Sequence, residues 1–299
     1  MSADAAQRDR AGWLRRDAER ISGTLPPLLV EAERLSSSIV MGVHGRRQAG
    51  PGESFWQYRP AHPGDTLASI DWRRSARSDR LFVREMEWEA AETVLIWADR
   101  SLSMQFASDK APRTKVARAS LLAMALSVLL HRGGERVGLI GTEAEQPQNG
   151  ARQLQRIARI LSREPEEPQD YGAPAAYALP KAGRVVFLSD FMGPRQEILP
   201  ALTQAAGQGM AGIFVQILDP VEEDFPFRGR TRFESVAREI RHETDQAKSL
   251  RDAYHGRLAE RRDELQRVAR AAGWHLILHR TDESPRKPLL RLHAILGGV

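Results

Sequence analysis

Apolar positions along this chain fall into three regimes. In residues 1–40, Trp13, Leu14, Ala18 and Ile21 recur at helical spacing. Pro26 then opens a second segment with Leu28, Leu29, Ala32 and Leu35 on one face, so two short helices are expected. In residues 41–92, glycine and proline punctuate the chain (Gly42, Gly45, Gly50, Pro51, Gly52, Pro60, Pro63, Gly64) and aromatics cluster between them (Phe55, Trp56, Tyr58, Trp72, Phe82, Trp88). That density predicts turns and short strands in a small β-containing module. From residue 93 to 299, short apolar runs alternate with amphipathic stretches. Strands are expected at Val94–Ala98, Val137–Ile140, Val185–Leu188, Ala211–Leu218 and Trp274–His279. Helices are expected near 114–131, 153–161, 195–206 and 244–272, a hairpin at 231–243, and a proline-punctuated loop or linker at 163–180. Apolar strands separated by helices mean a mainly parallel α/β sheet, Rossmann-like and covered on both faces. Three parts follow: 1–40, 41–92 and 93–299.

Composition removes several classes. The chain has no cysteine, which excludes disulfides, thiolate metal sites and cysteine nucleophiles. Lys+Arg is 44 against Asp+Glu at 39, a net charge of +5 carried by 39 Arg and 5 Lys. Acids are interspersed with the arginines, so this balance permits nucleic-acid binding without requiring it. The longest nearly apolar run, Ala119–Leu130, has 12 residues, against about 20 for a membrane span. The first residues are polar, with no apolar core of a secretory signal, so a cytoplasmic protein is expected.

Ligands in parallel sheets bind beyond the carboxyl ends of the strands, and three of the expected strands end at Asp99, Asp190 and Asp219. Asp99-Arg100-Ser101-Leu102-Ser103 follows the first strand. An aspartate and two serines at alternate positions of a tight loop converge three oxygens on one point, and Asp190 adds a fourth from across the crevice. Such oxygens suit a hard cation such as Mg²⁺. Ser101 and Ser103 lack a G-x-S-x-G turn and a motif-placed histidine, and no G-x-x-x-x-G-K-[ST] occurs, so neither a serine nucleophile nor P-loop nucleotide hydrolysis is expected, and a metal-dependent hydrolase lacks a convincing general base near the loop. His275 and His279 share a strand face with no third ligand, which favours a structural role. Arg73, Arg74, Arg77, Arg80 and Arg84 could face a phosphate backbone, but Asp71, Asp79, Glu85 and Glu87 interrupt them. A nucleic-acid surface at 73–84 is therefore the alternative reading.

With those residues in view, the segment from about 93 to 280 resembles a von Willebrand factor type A domain, whose metal-ion-dependent adhesion site begins D-x-S-x-S. Asp99, Ser101 and Ser103 match that motif, and Asp190 matches the aspartate after the fourth strand. The family's threonine ligand has no match in Gln148-Asn149-Gly150-Ala151-Arg152, where Arg152 could replace the cation's charge. The preceding block, with Gly42-Val43-His44-Gly45-Arg46-Arg47, Tyr58-Arg59-Pro60, Pro63-Gly64-Asp65, Ile70-Asp71-Trp72 and Ala76-Arg77, resembles the signature of the bacterial domain of unknown function 58 family. That resemblance implies as partners a MoxR-type AAA+ ATPase and/or other von Willebrand A proteins, and a chaperone-like assembly role. Within the block, Pro63-Gly64-Asp65 is turn chemistry, Asp71 can pair with neighbouring arginines, and Trp72 reads as a buried anchor. Arg46, Arg59, Asp65, Asp71, Trp72 and Arg77 either hold the module together or contact a partner.

Overall fold

The computed structural model describes residues 26–39, 48–78, 80–88, 91–165, 169–174, 183–228, 231–234, 241–244 and 247–297. The helix expected around Trp13–Ile21 and the stretch Gly42–Arg47, Arg46 included, lie outside them. The chain divides into two compact units, one formed by residues 93–297 with the helix that precedes residue 40, the other within 42–92.

The sheet of the larger unit is built from β3 (Thr93–Ala98), β4 (Arg136–Leu139), β5 (Arg184–Ser189), β6 (Ala211–Leu218) and β9 (His275–Arg280). They lie in the order β4-β3-β5-β6-β9, every pair parallel. The interiors of β3, β5 and β6 are buried with little alternation, as expected of strands covered on both faces, while the edge strand β9 alternates. Counted within this sheet, the order is 2-1-3-4-5, so the connections reverse direction between β3 and β5. Asp99 and Asp190 leave the ends of these two strands, at the switch point where such sheets form their crevice.

One face is covered by α3 (Lys115–Arg132), which is buried along nearly its whole circumference and capped by Thr114, whose hydroxyl accepts from the Ala117 amide at 3.2 Å. Around it pack α1 (Pro27–Ser37), α4 (Ala151–Leu161) and the last helix, α8 (Arg286–Gly297), which the sequence pattern did not foretell. Ser36 ties α1 to α3 by donating to the Ala125 carbonyl at 2.9 Å. The other face is aromatic: Trp97, Phe187, Phe191, Phe214 and Trp274 pack with α5 (Arg195–Ala206) and α7 (Ala247–Ala271). Gly212 is required there, because a Cβ would fall 2.2 Å from the Trp274 indole. Between β6 and α7 lie the short α6 (Pro220–Asp224) and the antiparallel pair β7 (Thr231–Glu234) and β8 (Arg241–Thr244), the expected hairpin.

The β4 edge is closed from within. Val137 and Gln148 exchange main-chain hydrogen bonds at 3.0 and 3.1 Å in an antiparallel bridge. The buried Gln153 amide donates to the carbonyls of Val137, Ala144 and Gln146. Buried Arg118 on α3 donates to the carbonyls of Thr281 and Glu283 and lies 3.0 Å from His279 Nε2. His279 is thus structural, and burial with the Arg118 charge pushes its pKa down to about 3.

The smaller unit is an antiparallel pair, β1 (Gln48–Pro60) and β2 (Phe82–Trp88), with bulges between Ala49/Ser54 and Phe55/Gln57. A 3₁₀ turn (Leu67–Ser69) and the four-residue α2 (Trp72–Ser75) lie between them. No described helix is long and apolar enough to cross a membrane.

Candidate functional site

The D-x-S-x-S loop leaves β3 as expected, and its polar groups are largely turned on one another. Asp99, 2% exposed, accepts from the Ser101 amide at 2.9 Å through Oδ1 and from the Ser189 hydroxyl at 2.6 Å through Oδ2. Ser101 and Ser103 hydroxyls lie 3.1 Å apart. The loop at 169–174, part of the stretch expected to be a plain loop or linker, crosses over them. Leu102 and Ser103 amides donate to the carbonyls of Gln169 and Asp170 at 2.8 and 2.9 Å. Gly172 lies so close that a Cβ would stand 2.2 Å from Asp99 Oδ1. Burial first, and then the charge of Asp190, push the Asp99 carboxyl pKa up.

Asp190 does approach this loop, but it holds a cation already. Its Oδ2 accepts from Lys115 Nζ at 2.8 Å, and the same ammonium donates to Glu222 Oε1 at 2.5 Å. Lys115 and Asp190 side chains are 1% and 2% exposed. Burial opposes the ammonium's charge, yet Asp190 and Glu222 together hold its pKa above the ordinary value. Asp190 Oδ1 accepts from the Met192 amide. Between them Phe191 adopts a left-handed conformation (φ 54), strained for a bulky residue. Arg261 pins this turn by donating to the carbonyls of Phe191 and Gly193 at 3.1 Å each. The third strand-end acid, Asp219, caps α6 in a reciprocal box with Glu222 and accepts from the Ser108 amide.

These positions do not fit a bound divalent cation. Mg²⁺ needs octahedral geometry and usually keeps several waters. Here both Asp99 oxygens are engaged, the Gly172 backbone closes over that carboxylate, and a lysine ammonium supplies the positive charge at Asp190. No group of three or more histidine or acidic side chains placed to hold a metal occurs among the described residues. The neutralising cation is Lys115, not Arg152. Arg152 is exposed at the start of α4, while Gln148 bridges Val137 and Asn149 donates to the Glu135 carbonyl. One signal for Lys115 was present: a lysine in the first helical turn, where cations are disfavoured, in a chain that otherwise chooses arginine. Glu222, Ser189 and Gly172 carried no such mark.

Within the smaller unit, Arg59 and Asp65 form a bidentate pair at 2.7 Å, and Asp65 also accepts from the His62 amide. These contacts hold the Asp65 carboxyl well below the usual carboxylate range. Asp71 caps α2 through the Arg74 amide at 2.9 Å and accepts from the Tyr58 hydroxyl at 3.2 Å. The Arg74 guanidinium lies 5.5 Å from the Tyr58 and Phe82 ring centres. Trp72 corrects the sequence expectation: it is 58% exposed. The reason is local, since Ser75 is the residue of α2 turned inward, its hydroxyl donating to the Asp71 carbonyl and accepting from the Phe82 amide. Arg77, Arg73 and Arg80 are exposed as well.

Two solved structures resemble the chain weakly. They are a conserved hypothetical protein BatB from Bacteroides thetaiotaomicron (TM-score 0.43, 12% identity) and an aerotolerance-related membrane protein from Bacteroides fragilis (TM-score 0.39, 11% identity). Each match covers 70% of this chain and 100% of the other. Uncharacterized proteins of Mycobacterium bovis and Mycobacterium tuberculosis are each 26% identical over 290 residues, covering 93% of this chain and 90% of theirs. The model of the family described as protein of unknown function DUF58 matches residues 57–264, and with that match across most of its length the chain belongs to this family.

Proposed function

We propose that this protein is a non-enzymatic interaction and assembly factor of the cytoplasm, working with a MoxR-type AAA+ ATPase through the switch-point edge of its sheet. The observation that carries this reading is the closed polar network at Asp99, Ser101, Ser189, Asp190, Lys115 and Glu222. A hydrolytic serine needs a free base within hydrogen-bond reach, whereas Ser101 and Ser103 face each other and the neighbouring Asp99 carboxylate is engaged by the Ser101 amide and the Ser189 hydroxyl. A network satisfied from within rigidifies a surface, which suits presentation of a fixed shape to a partner. The choice of ATPase rests on the signature block between 42 and 77. The experiment is co-purification of the ATPase with the tagged protein, with and without EDTA. Capture that survives EDTA supports a surface held in shape by the buried Lys115 network rather than by a bound metal, and an ATPase that never co-purifies overturns the reading. If EDTA abolishes capture and an Asp99→Ala, Ser101→Ala double variant does the same, the metal-dependent version returns.

A second reading has one observation in its favour. Arg73, Arg77 and Arg80 are exposed near Trp72, and bases stack on exposed aromatics beside basic side chains. Binding of a single-stranded oligonucleotide that falls steeply with salt and is lost in Trp72→Ala would favour it.

A further inference from the structure

Beside the D-x-S-x-S loop lies a crevice of about 240 Å³ bounded by α1, the start of α3 and the end of α4. Its polar lining is dominated by hydrogen-bond donors. Arg100, between Asp99 and Ser101, is half-buried and donates to the Arg163 carbonyl, with no carboxylate at ion-pair distance among the described residues. Arg163 lines the same crevice. Arg113 is held at the rim by Glu31 at 2.7 Å. Arg100, Arg113 and Arg163 thus line this space, with Glu164 the acidic residue of its described lining, Glu31 paired to Arg113 at the rim and Glu143 acting on Arg100 through its charge. Ser120 of α3, only 5% exposed, also faces it, and its hydroxyl has no hydrogen-bond partner among the described residues. A hydroxyl open to the crevice and a guanidinium with only a main-chain acceptor, both lining one space, leave donors there short of an acceptor. The remaining walls are apolar, Leu28 and Leu161 among them.

We infer that this crevice binds a carboxylate carried next to an apolar side chain, as at the C-terminus of a protein partner ending in leucine or a similar residue. Charge complementarity selects the anion, and the apolar wall selects the group beside it. The volume lies below the roughly 300–1,000 Å³ of ordinary small-molecule sites, so it fits one residue rather than a nucleotide. Arg100 suits the task because its planar fork matches a carboxylate with two parallel bonds, while the Ser120 hydroxyl donates a third. This inference deepens the reading above, on which it rests for the existence of a protein partner.

The test titrates the full-length protein with acetyl-Ala-Ala-Ala-Leu bearing a free carboxylate, and separately with the same peptide as its amide. Binding is followed by the backbone amide NMR shifts of Ala117, Ser120 and Leu161. The acid is expected to give saturable shifts, and the amide to bind about tenfold or more weakly, the loss of a charge-assisted hydrogen bond. Arg100→Gln is expected to weaken the acid to the level of the amide, and Ser120→Ala to weaken it by a smaller factor with the fold intact. Equal binding of acid and amide, no shift at millimolar peptide, or an Arg100→Gln protein that binds like wild type would each overturn the inference. Inorganic phosphate or a 12-mer oligonucleotide outcompeting the peptide would overturn it too, in favour of a phosphate site. If the peptide fails while the ATPase still co-purifies, only the crevice is wrong; if the peptide binds and the ATPase does not co-purify, only the partner is.

Discussion

The two units handle charge in opposite ways. In the sheet unit, charges at the switch point are buried and answered by one another: Lys115 by Asp190 and Glu222, Asp99 by an amide and a hydroxyl. In the unit within 42–92, the Arg59–Asp65 pair is partly exposed, at 29% and 18%, and large apolar side chains are exposed as well: Leu67 at 72%, Trp72 at 58%, Leu81 at 46%. Buried charges cannot be removed singly without leaving a partner uncompensated, whereas exposed pairs contribute little to stability. The polar cluster of the sheet unit therefore serves its own architecture, and surface features are the places where either unit can meet another molecule.

The hardest test of that contrast is Lys115→Met. It leaves the buried Asp190 and the partly exposed Glu222 without their cation and is expected to cost about 3–5 kcal/mol, a fall of roughly 10 °C in Tm by calorimetry. Adding Mn²⁺ should restore part of the loss in this variant and leave the wild-type Tm unchanged. A wild-type protein stabilised by Mn²⁺ would break the picture. Next in size is Gly172→Ala, whose methyl group would press on the Asp99 carboxylate. Overpacking of this kind costs about 1–3 kcal/mol, to be read from the urea midpoint, and an unchanged midpoint would mean that the 169–174 loop does not close over Asp99.

A third measurement concerns pH. His279 has its pKa lowered from 6.5 to about 3 in the folded protein, so the unfolded chain takes up its proton first. Stability linked to it is present above 6.5 and is lost as pH falls from there towards 3. His279→Gln should flatten that part of the stability curve, seen as a smaller difference between unfolding midpoints at pH 7 and pH 4. The smallest expected effect is Trp72→Ser, within about 0.5 kcal/mol of wild type because the indole is mostly in water. A large loss of stability would show that Trp72 is an anchor after all.

What could be read from the sequence was what is local or periodic. Strands buried on both faces announce themselves as runs such as Val94–Trp97 and Val185–Leu188, and D-x-S-x-S spans five residues. Lys115 could not be read in its role, because its partners stand 75 and 107 positions away and meet it only once β5 and α6 are placed. Trp72 was misread because an aromatic in a turn-rich block defaults to burial, whereas in this four-residue helix it is Ser75 that turns inward. The helix Arg286–Gly297 went unread since Pro285 and Pro288 flank its start, although proline is tolerated in a first turn.

The β4 edge carries a consequence for solubility. An open sheet invites a second copy to add its own strand, the first step of ordered aggregation. Here Gln148 occupies the pairing groups of Val137 from one side, and the Gln153 amide takes up neighbouring carbonyls from beneath. With the Val137 groups engaged in this way, the β4 edge offers a second copy fewer free main-chain partners to pair with.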